Sequence, residues 1–221
     1  MPSPSKEENI LRLIFENSPM KEWHFEEIVK EAKVTRAVAN KWLRKYVKQG
    51  IIRRTKRKGK FPTYSPGEKN ITYQVQKRIY GLRKLHESGL IEELLKIQNA
   101  KTIVIFGSFS NGYWYKRSDI DIFVMGAVNP EDFYESETKA HKQLDIHIFQ
   151  DDKELDTIKS GLLINVMDGY LVKGTMESFA KKALEQANAI RDLRGVHKRW
   201  DALLDPKGRR TRVNAPEGGR A

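Results

Sequence analysis

The sequence predicts an α/β protein in two parts: a small N-terminal unit of helices closed by a basic hairpin, then a mixed β-sheet flanked by helices. Three observations carry this. Apolar residues recur at helical spacing in short segments over residues 7–49 and then give way to IIRRTKRKGKFPTY, which turns near Gly59. Two apolar, β-branched runs, Lys101–Phe106 and Ile120–Val124, are too brief for helices, and the first ends at Gly107. Helical patterns precede, separate and follow these strands, as in a sheet layered with helices.

In the N-terminal unit, Ile10, Leu11, Ile14 and Phe15 place a helix over Glu7–Phe15, stopped by Asn17-Ser18-Pro19. Trp23-His24-Phe25 reads as a brief strand before a second helix, Glu26–Ala32. A third helix runs from its N-cap Thr35 to Gly50, the expected residue just past its end. Val38, Ala39, Trp42, Leu43, Tyr46 and Val47 share one side of it; Arg36, Asn40, Lys41, Arg44, Lys45 and Lys48 occupy the other. The hairpin over Ile51–Tyr64 follows directly, and Pro62 limits its second strand to a sheet edge. Three short helices and a basic hairpin resemble a winged helix-turn-helix domain, here residues 1–66. Between Lys41 and Lys60 ten residues are Lys or Arg and none is acidic. The resemblance implies that Arg36, Asn40, Lys41, Arg44, Lys45, Arg53, Arg54, Lys56, Arg57 and Lys58 meet nucleic acid, phosphates above all, while DNA and RNA stay undistinguished. Winged helices also serve as protein-docking modules.

Ser65-Pro66-Gly67 reads as a linker, and residues 67–98 as a helical connector in which Tyr73, Val75, Ile79, Leu82 and Leu85 mark an amphipathic helix, broken at Ser88-Gly89 before a shorter one, Leu90–Ile97. This connector either holds the two parts in fixed relation or forms a homodimer surface. Residues 99–175 carry the chemistry. After the strand Lys101–Phe106, Gly107 and Ser108 open a short helical turn, where a backbone without a Cβ, a hydroxyl and free N–H groups suit a phosphate. Ten residues separate Ser108 from Asp119, and Asp121 follows after Ile120. Side chains alternate along a strand, so both carboxylates share one face while Ile120, Ile122 and Val124 pack on the other. Like charges on one face repel, and a divalent cation is their natural partner; hard oxygen donors of this number suit Mg²⁺ held together with substrate phosphates. On the strand Lys142–Phe149, Asp145 shares a face with His147 and Phe149, opposite Leu144, Ile146 and Ile148. If the two strands are neighbours, three aspartates converge opposite the Gly107-Ser108 turn, which fits two-metal nucleotidyl transfer.

The apolar strand, Gly107-Ser108, the ten-residue spacer, Ser118-Asp119-Ile120-Asp121 and its apolar continuation resemble the DNA polymerase β type nucleotidyltransferase superfamily, and within it the minimal enzymes similar to kanamycin nucleotidyltransferase. The resemblance implies that Gly107, Ser108 and Ser118 bind the nucleoside triphosphate, ATP by family habit. It implies that Asp119 and Asp121 hold Mg²⁺ or Mn²⁺ and that Asp145 is a third metal ligand or a general base. NMP would pass to a hydroxyl of nucleic acid, of a partner protein as in antitoxin-like members, or of a small molecule. The rival reading is a DNA-binding regulator whose nucleotidyltransferase domain senses nucleotide.

Pro130–His141 and Glu154–Met167 read as helices, Tyr170-Leu171-Val172 as a strand, and Glu177–Arg199 as a last helix within residues 176–204. Residues 205–221 are basic and poor in apolar groups, a composition expected to be disordered. Arg191 and His197 resemble the Arg–His element of HEPN ribonucleases, but too little helical sequence surrounds them for that bundle. Over its 221 residues the chain carries a net charge of +12, which favours anionic partners, nucleic acid first. It has no cysteine, so disulfides, thiolate metal sites and thiol catalysis are excluded. No apolar run reaches the ~18 residues of a membrane span, and the start lacks a signal-peptide core; an intracellular, cytoplasmic protein is expected.

Overall fold

The computed structural model describes residues 5–151, 153–182 and 184–185. The N-terminal unit comprises α1 (Lys6–Glu16), β1 (Trp23–His24), α2 (Phe25–Glu31), α3 (Arg36–Gln49), β2 (Ile52–Thr55) and β3 (Thr63–Pro66). Side chains start its first and third helices: the Glu8 N–H donates to Ser5 Oγ at 3.1 Å and the Val38 N–H to Thr35 Oγ1 at 3.4 Å. Gly50 ends α3 at φ 75°, a left-handed turn that glycine adopts without a Cβ penalty. The three strands form an antiparallel sheet in the order β1-β3-β2.

Two expectations fail here. β3 is the central strand, not an edge: it starts at Thr63, so the N–H that Pro62 lacks falls outside the ladder. Nor is Ser65-Pro66-Gly67 a free linker. Ser65 and Pro66 pair with Arg53 and Ile52, and the Gly67 N–H donates to Ile51 O at 2.9 Å.

The connector α4 (Ile71–Glu87) starts on Asn70, whose Oδ1 accepts from the Thr72 N–H at 2.8 Å. Tyr73, Lys77, Tyr80 and Leu85, at helical spacing, are its buried face. That face docks on α1. The Phe15 ring lies 5.5 Å from Tyr73 and 5.4 Å from Tyr80, the Tyr80 hydroxyl donates to Glu16 Oε1 at 2.9 Å, and Arg83 pairs with Glu8 at 2.9 Å. One apolar cluster therefore runs from Ile10 and Phe15 through Tyr73 and Tyr80 to Ile103 and Ile122. Each large side chain buried in it is worth about 1.5–3 kcal/mol. Lys77 lies within this junction, with Nζ 5.3 Å from the Trp114 ring centroid, and burial pulls its pKa down to about 8 against the opposing pull of Glu68. The opposite side of α4 leaves Ile71, Val75, Ile79 and Leu82 exposed.

The second part holds α5 (Leu90–Lys96), β4 (Ala100–Phe106), α6 (Ser108–Asn111), β5 (Ile120–Gly126), a 3-10 turn Pro130–Phe133 leading into α7 (Tyr134–Ala140), and β6 (Leu144–Phe149). A second 3-10 turn (Glu154–Thr157), α8 (Ser160–Met167) and β7 (Tyr170–Lys173) follow. Its four-stranded sheet has the order β6-β5-β4-β7, with β4 antiparallel to both neighbours and β5 parallel to β6. Alternation along the strands divides the core. Ile103, Ile105, Ile120, Ile122 and Val124 join Leu90, Leu94 and Phe133 on one face. Val104, Phe106, Phe123 and Met125 join Leu155, Leu163, Val166 and Phe179 on the other.

The helix expected over Glu154–Met167 is interrupted, because the chain is extended at Ile158 (ψ 127°) and Lys159 (ψ 139°) before α8 begins. Gly161, about 1 kcal/mol worse than Ala in a helix, sits at that restart. Of the last expected helix, residues 177–182 are helical; the remainder, including Arg191 and His197, and the tail 205–221 lie outside the described residues, apart from 184–185. Among the described residues no helix is long and apolar enough to cross a membrane.

Candidate active site

The site forms where β4 ends and β5 begins. Gly107 holds φ 68° and ψ −135°, which glycine alone adopts freely, and a Cβ there would run into the Asp121 carboxylate. The strand register explains the closeness: Phe106 pairs with Asp121 across β4 and β5. The Ser108 backbone N–H lies close enough to the Asp121 carboxylate to favour its charged form. Ser108 O in turn accepts from Tyr113 and Trp114 N–H at 3.0 and 3.2 Å, and Ser110 Oγ donates to Gly107 O at 3.0 Å. Beneath this turn Trp114 is stacked between Phe109, at 5.1 Å, and Tyr80, at 6.0 Å.

Asp145 takes the predicted position. β6 is the parallel neighbour of β5, and Asp145 stands opposite Asp121 in register, with His147 Nε2 3.7 Å from Asp145 Oδ2. Burial raises the Asp121 pKa above the usual carboxylate range; the Ser108 N–H opposes this, Asp145 adds to it, and His147 opposes it. Asp119 is exposed and precedes β5 by one residue, on the same alternation as Asp121. Ser118, next to it, has its hydroxyl committed to a tight turn. Its Oγ accepts from the Tyr115 N–H at 3.0 Å while the Ser118 N–H donates to Tyr115 O at 2.9 Å.

The backbone thus puts Asp119, Asp121 and Asp145 at neighbouring positions, yet among the described residues no three acidic or histidine side chains are gathered as a metal-holding group. The convergence expected of them is one of strand positions and not of carboxylates drawn together. The donor set nevertheless fits a hard divalent cation. All three are carboxylates, and Asp121 carries a burial cost and a negative neighbour that a cation would offset.

The cations proposed for nucleic acid are all exposed: Arg36, Lys41, Arg44 and Lys45 on α3 with Asn40 among them, Arg53 and Arg54 on β2, and Lys56, Arg57 and Lys58 just beyond it. Three are partly neutralised, Arg36 by Glu26 at 2.8 Å, Lys45 by Glu7 at 3.5 Å and Arg57 by Glu22 at 3.5 Å. Lys41 and Lys45 lie over the Trp42 ring, at 5.4 and 4.4 Å from its centroid. Phe61, in the same hairpin, is 86% exposed, an aromatic that sequence patterning passes over because a single apolar residue in a turn carries no period. Lys142 likewise reads in the sequence only as the start of a strand; its contacts with the segment before Asp119 are tertiary and leave no local signal.

Residues 87–186 match the model of the nucleotidyltransferase domain family. The chain therefore carries a nucleotidyltransferase domain, which embraces α5, the four-stranded sheet and the three aspartates. Among solved structures, a toxin–antitoxin crystal structure with AMP-PNP is 20% identical, covering 52% of this chain and 95% of that chain at a TM-score of 0.35. Two mutants of the toxin–antitoxin MntA-HpeT match at the same TM-score. One is 19% identical over 52% of this chain and 95% of that one, the other 23% over 54% and 94%. No curated protein matches the chain.

Proposed function

We propose that this protein is a metal-dependent nucleotidyltransferase that transfers NMP, AMP from ATP, to a hydroxyl at the end of a nucleic acid strand and releases pyrophosphate. The observation that carries this reading is the pairing of Asp121 with Asp145 in register on parallel strands, against a Gly107-Ser108 turn packed so closely that only glycine fits at its first position. In this reading Gly107 leaves room for the triphosphate and Ser108 offers its hydroxyl to it. Asp119 and Asp121 hold Mg²⁺ or Mn²⁺, with Asp145 as the third carboxylate. The bound cation would offset charge on the triphosphate and on the departing pyrophosphate. Asp145 orients the acceptor hydroxyl and takes up its proton as the acceptor oxygen bonds to the α-phosphorus and the bond to pyrophosphate breaks. Ser118 acts through the turn that carries Asp119.

The acceptor class rests on the N-terminal unit, which we read as a winged helix. Its order of three helices and a hairpin supports this, together with Lys41, Arg44, Arg53, Arg54, Lys56 and Lys58, which have no ion-pair partner among the described residues. Unpaired cations on one exposed surface attract a phosphate backbone. The test is incubation with each α-labelled nucleoside triphosphate, Mg²⁺ or Mn²⁺, total RNA, duplex DNA and cell lysate. Label in nucleic acid is the expected result. Label in protein would make the acceptor a partner's side chain, and nucleotide binding without any label would support a regulator that senses nucleotide.

A further inference from the structure

Asp119 stands one residue outside the ladder of β5, at the end of a loop that runs from Gly112 to Ser118. A carboxylate so placed is only as well positioned as that loop. Lys142, between α7 and β6, reaches under it: Nζ donates to Lys116 O at 2.7 Å and to Ser118 O at 2.8 Å. The second acceptor belongs to the peptide group that joins Ser118 to Asp119. The ammonium also lies 5.6 Å from the Phe109 ring centroid, under the α6 turn. The adjoining backbone closes the same seam, because the Ile120 N–H donates to Gln143 O at 3.0 Å. On its far side the loop is held by the N-terminal unit, where the Lys116 N–H donates to Glu16 O, the last residue of α1, at 2.7 Å. Burial lowers the Lys142 pKa, and the carboxylates of Glu16 and Asp119 oppose that shift.

We propose that Lys142 is a positioning residue for the transfer reaction, fixing the peptide that carries Asp119 against the strand that carries Asp145. The proposal rests on the function proposed above for these aspartates. A side chain that holds a metal-ligating residue from behind is worth about 10–100-fold in metal affinity or activity, and a misplacement of about 1 Å at a reacting centre costs about 10²-fold.

The test compares the full-length wild type with Lys142→Met, which keeps the aliphatic stem over Phe109 and removes the donors, and with Lys142→Arg, which restores donors. Hydrogen exchange of the peptide spanning 113–120, measured without metal or nucleotide, should quicken in Lys142→Met and return toward the wild type in Lys142→Arg. With an ATP analogue present, Mn²⁺ affinity read by electron paramagnetic resonance should fall about 10–100-fold in Lys142→Met. kcat per folded molecule should fall by a similar factor, with a smaller change in KM for the nucleotide, and Lys142→Arg should recover most of both. Unchanged exchange over 113–120, or wild-type Mn²⁺ affinity and kcat in Lys142→Met, overturns the proposal. A wild type that binds Mn²⁺ and nucleotide but transfers nothing refutes the proposed reaction instead, while the exchange and Mn²⁺ measurements still decide the role of Lys142.

Discussion

Gly107→Ala strikes the site at the point where backbone and carboxylate leave least room. At φ 68° and ψ −135° an alanine is strained on its own account, by about 1–3 kcal/mol for a residue held in a glycine region. For a domain of this size each kcal/mol moves Tm by about 2–4 °C, so backbone strain alone predicts a fall of roughly 2–12 °C. The new methyl group would also lie inside the contact radius of the Asp121 carboxylate, which must then swing away from the Ser108 N–H. A displacement of about 1 Å at a group that orients the reaction costs about 10²-fold in rate. Thermal melting and steady-state transfer from α-labelled ATP read the two effects separately. The rate loss should persist well below the melting transition, where the variant is folded. A Gly107→Ala protein with wild-type Tm and wild-type kcat would refute the close packing of Gly107 on Asp121 and, with it, the reading of this turn as part of the site.

Asp121→Asn should abolish transfer, yet leave the metal-free protein at least as stable as the wild type near neutral pH. The folded-state pKa of Asp121 is raised, so its contribution favours folding at low pH and is lost as pH rises through that pKa; the neutral amide removes the loss and flattens the pH dependence of Tm. A destabilised Asp121→Asn would contradict this sign. Asp145→Ala should retain nucleotide binding by calorimetry and lose turnover, and unchanged turnover would place the third carboxylate elsewhere. For nucleic acid, replacing Arg44, Arg53, Arg54 and Lys56 by Ala should lower affinity and flatten the dependence of log K on log salt by about 0.9 for each duplex phosphate no longer neutralised. Equal slopes for variant and wild type would remove the nucleic-acid role of this surface.

The strands and the aspartates were legible in the sequence because both signals are local. β-branched runs and period-two alternation place Ile120, Ile122 and Val124 together in one core cluster, as expected, while Phe123 and Met125 fall in the other. Thr35 and Gly50 bound α3 for equally local reasons. What the sequence concealed is tertiary. Pro62 looks like an edge-strand residue until the ladder is seen to begin at Thr63, and Ser65-Pro66-Gly67 looks like a linker until Ser65 and Pro66 are found paired with β2. The neighbourhood of Asp121 and Asp145 could only be supposed, since nothing in either segment states that β6 lies beside β5. That the three carboxylates are not gathered into one group was beyond reach altogether, because side-chain placement across strands leaves no period in the sequence.

The junction between the two parts decides how an acceptor strand could be presented. Tyr46 of α3 donates from its hydroxyl to Glu7 O at 3.5 Å and to Glu7 Oε1 at 3.3 Å at the start of α1. The end of α1 then meets the loop before Asp119 through Glu16 O and the Lys116 N–H. Between them Phe15 is packed on Tyr73 and Tyr80 of α4. Phe15, Tyr46, Tyr73 and Tyr80 are buried and Glu7 and Glu16 half-buried, and no link passes through a flexible tether whose length would set an effective concentration. A strand held by the basic surface of α3 and β2 would therefore lie at a fixed distance and angle from the three aspartates, and only an end of suitable length would reach Asp145. If the acceptor is the end of a nucleic acid strand, as proposed, its length would be selected by the packing of α1 on α4, with no base contact required.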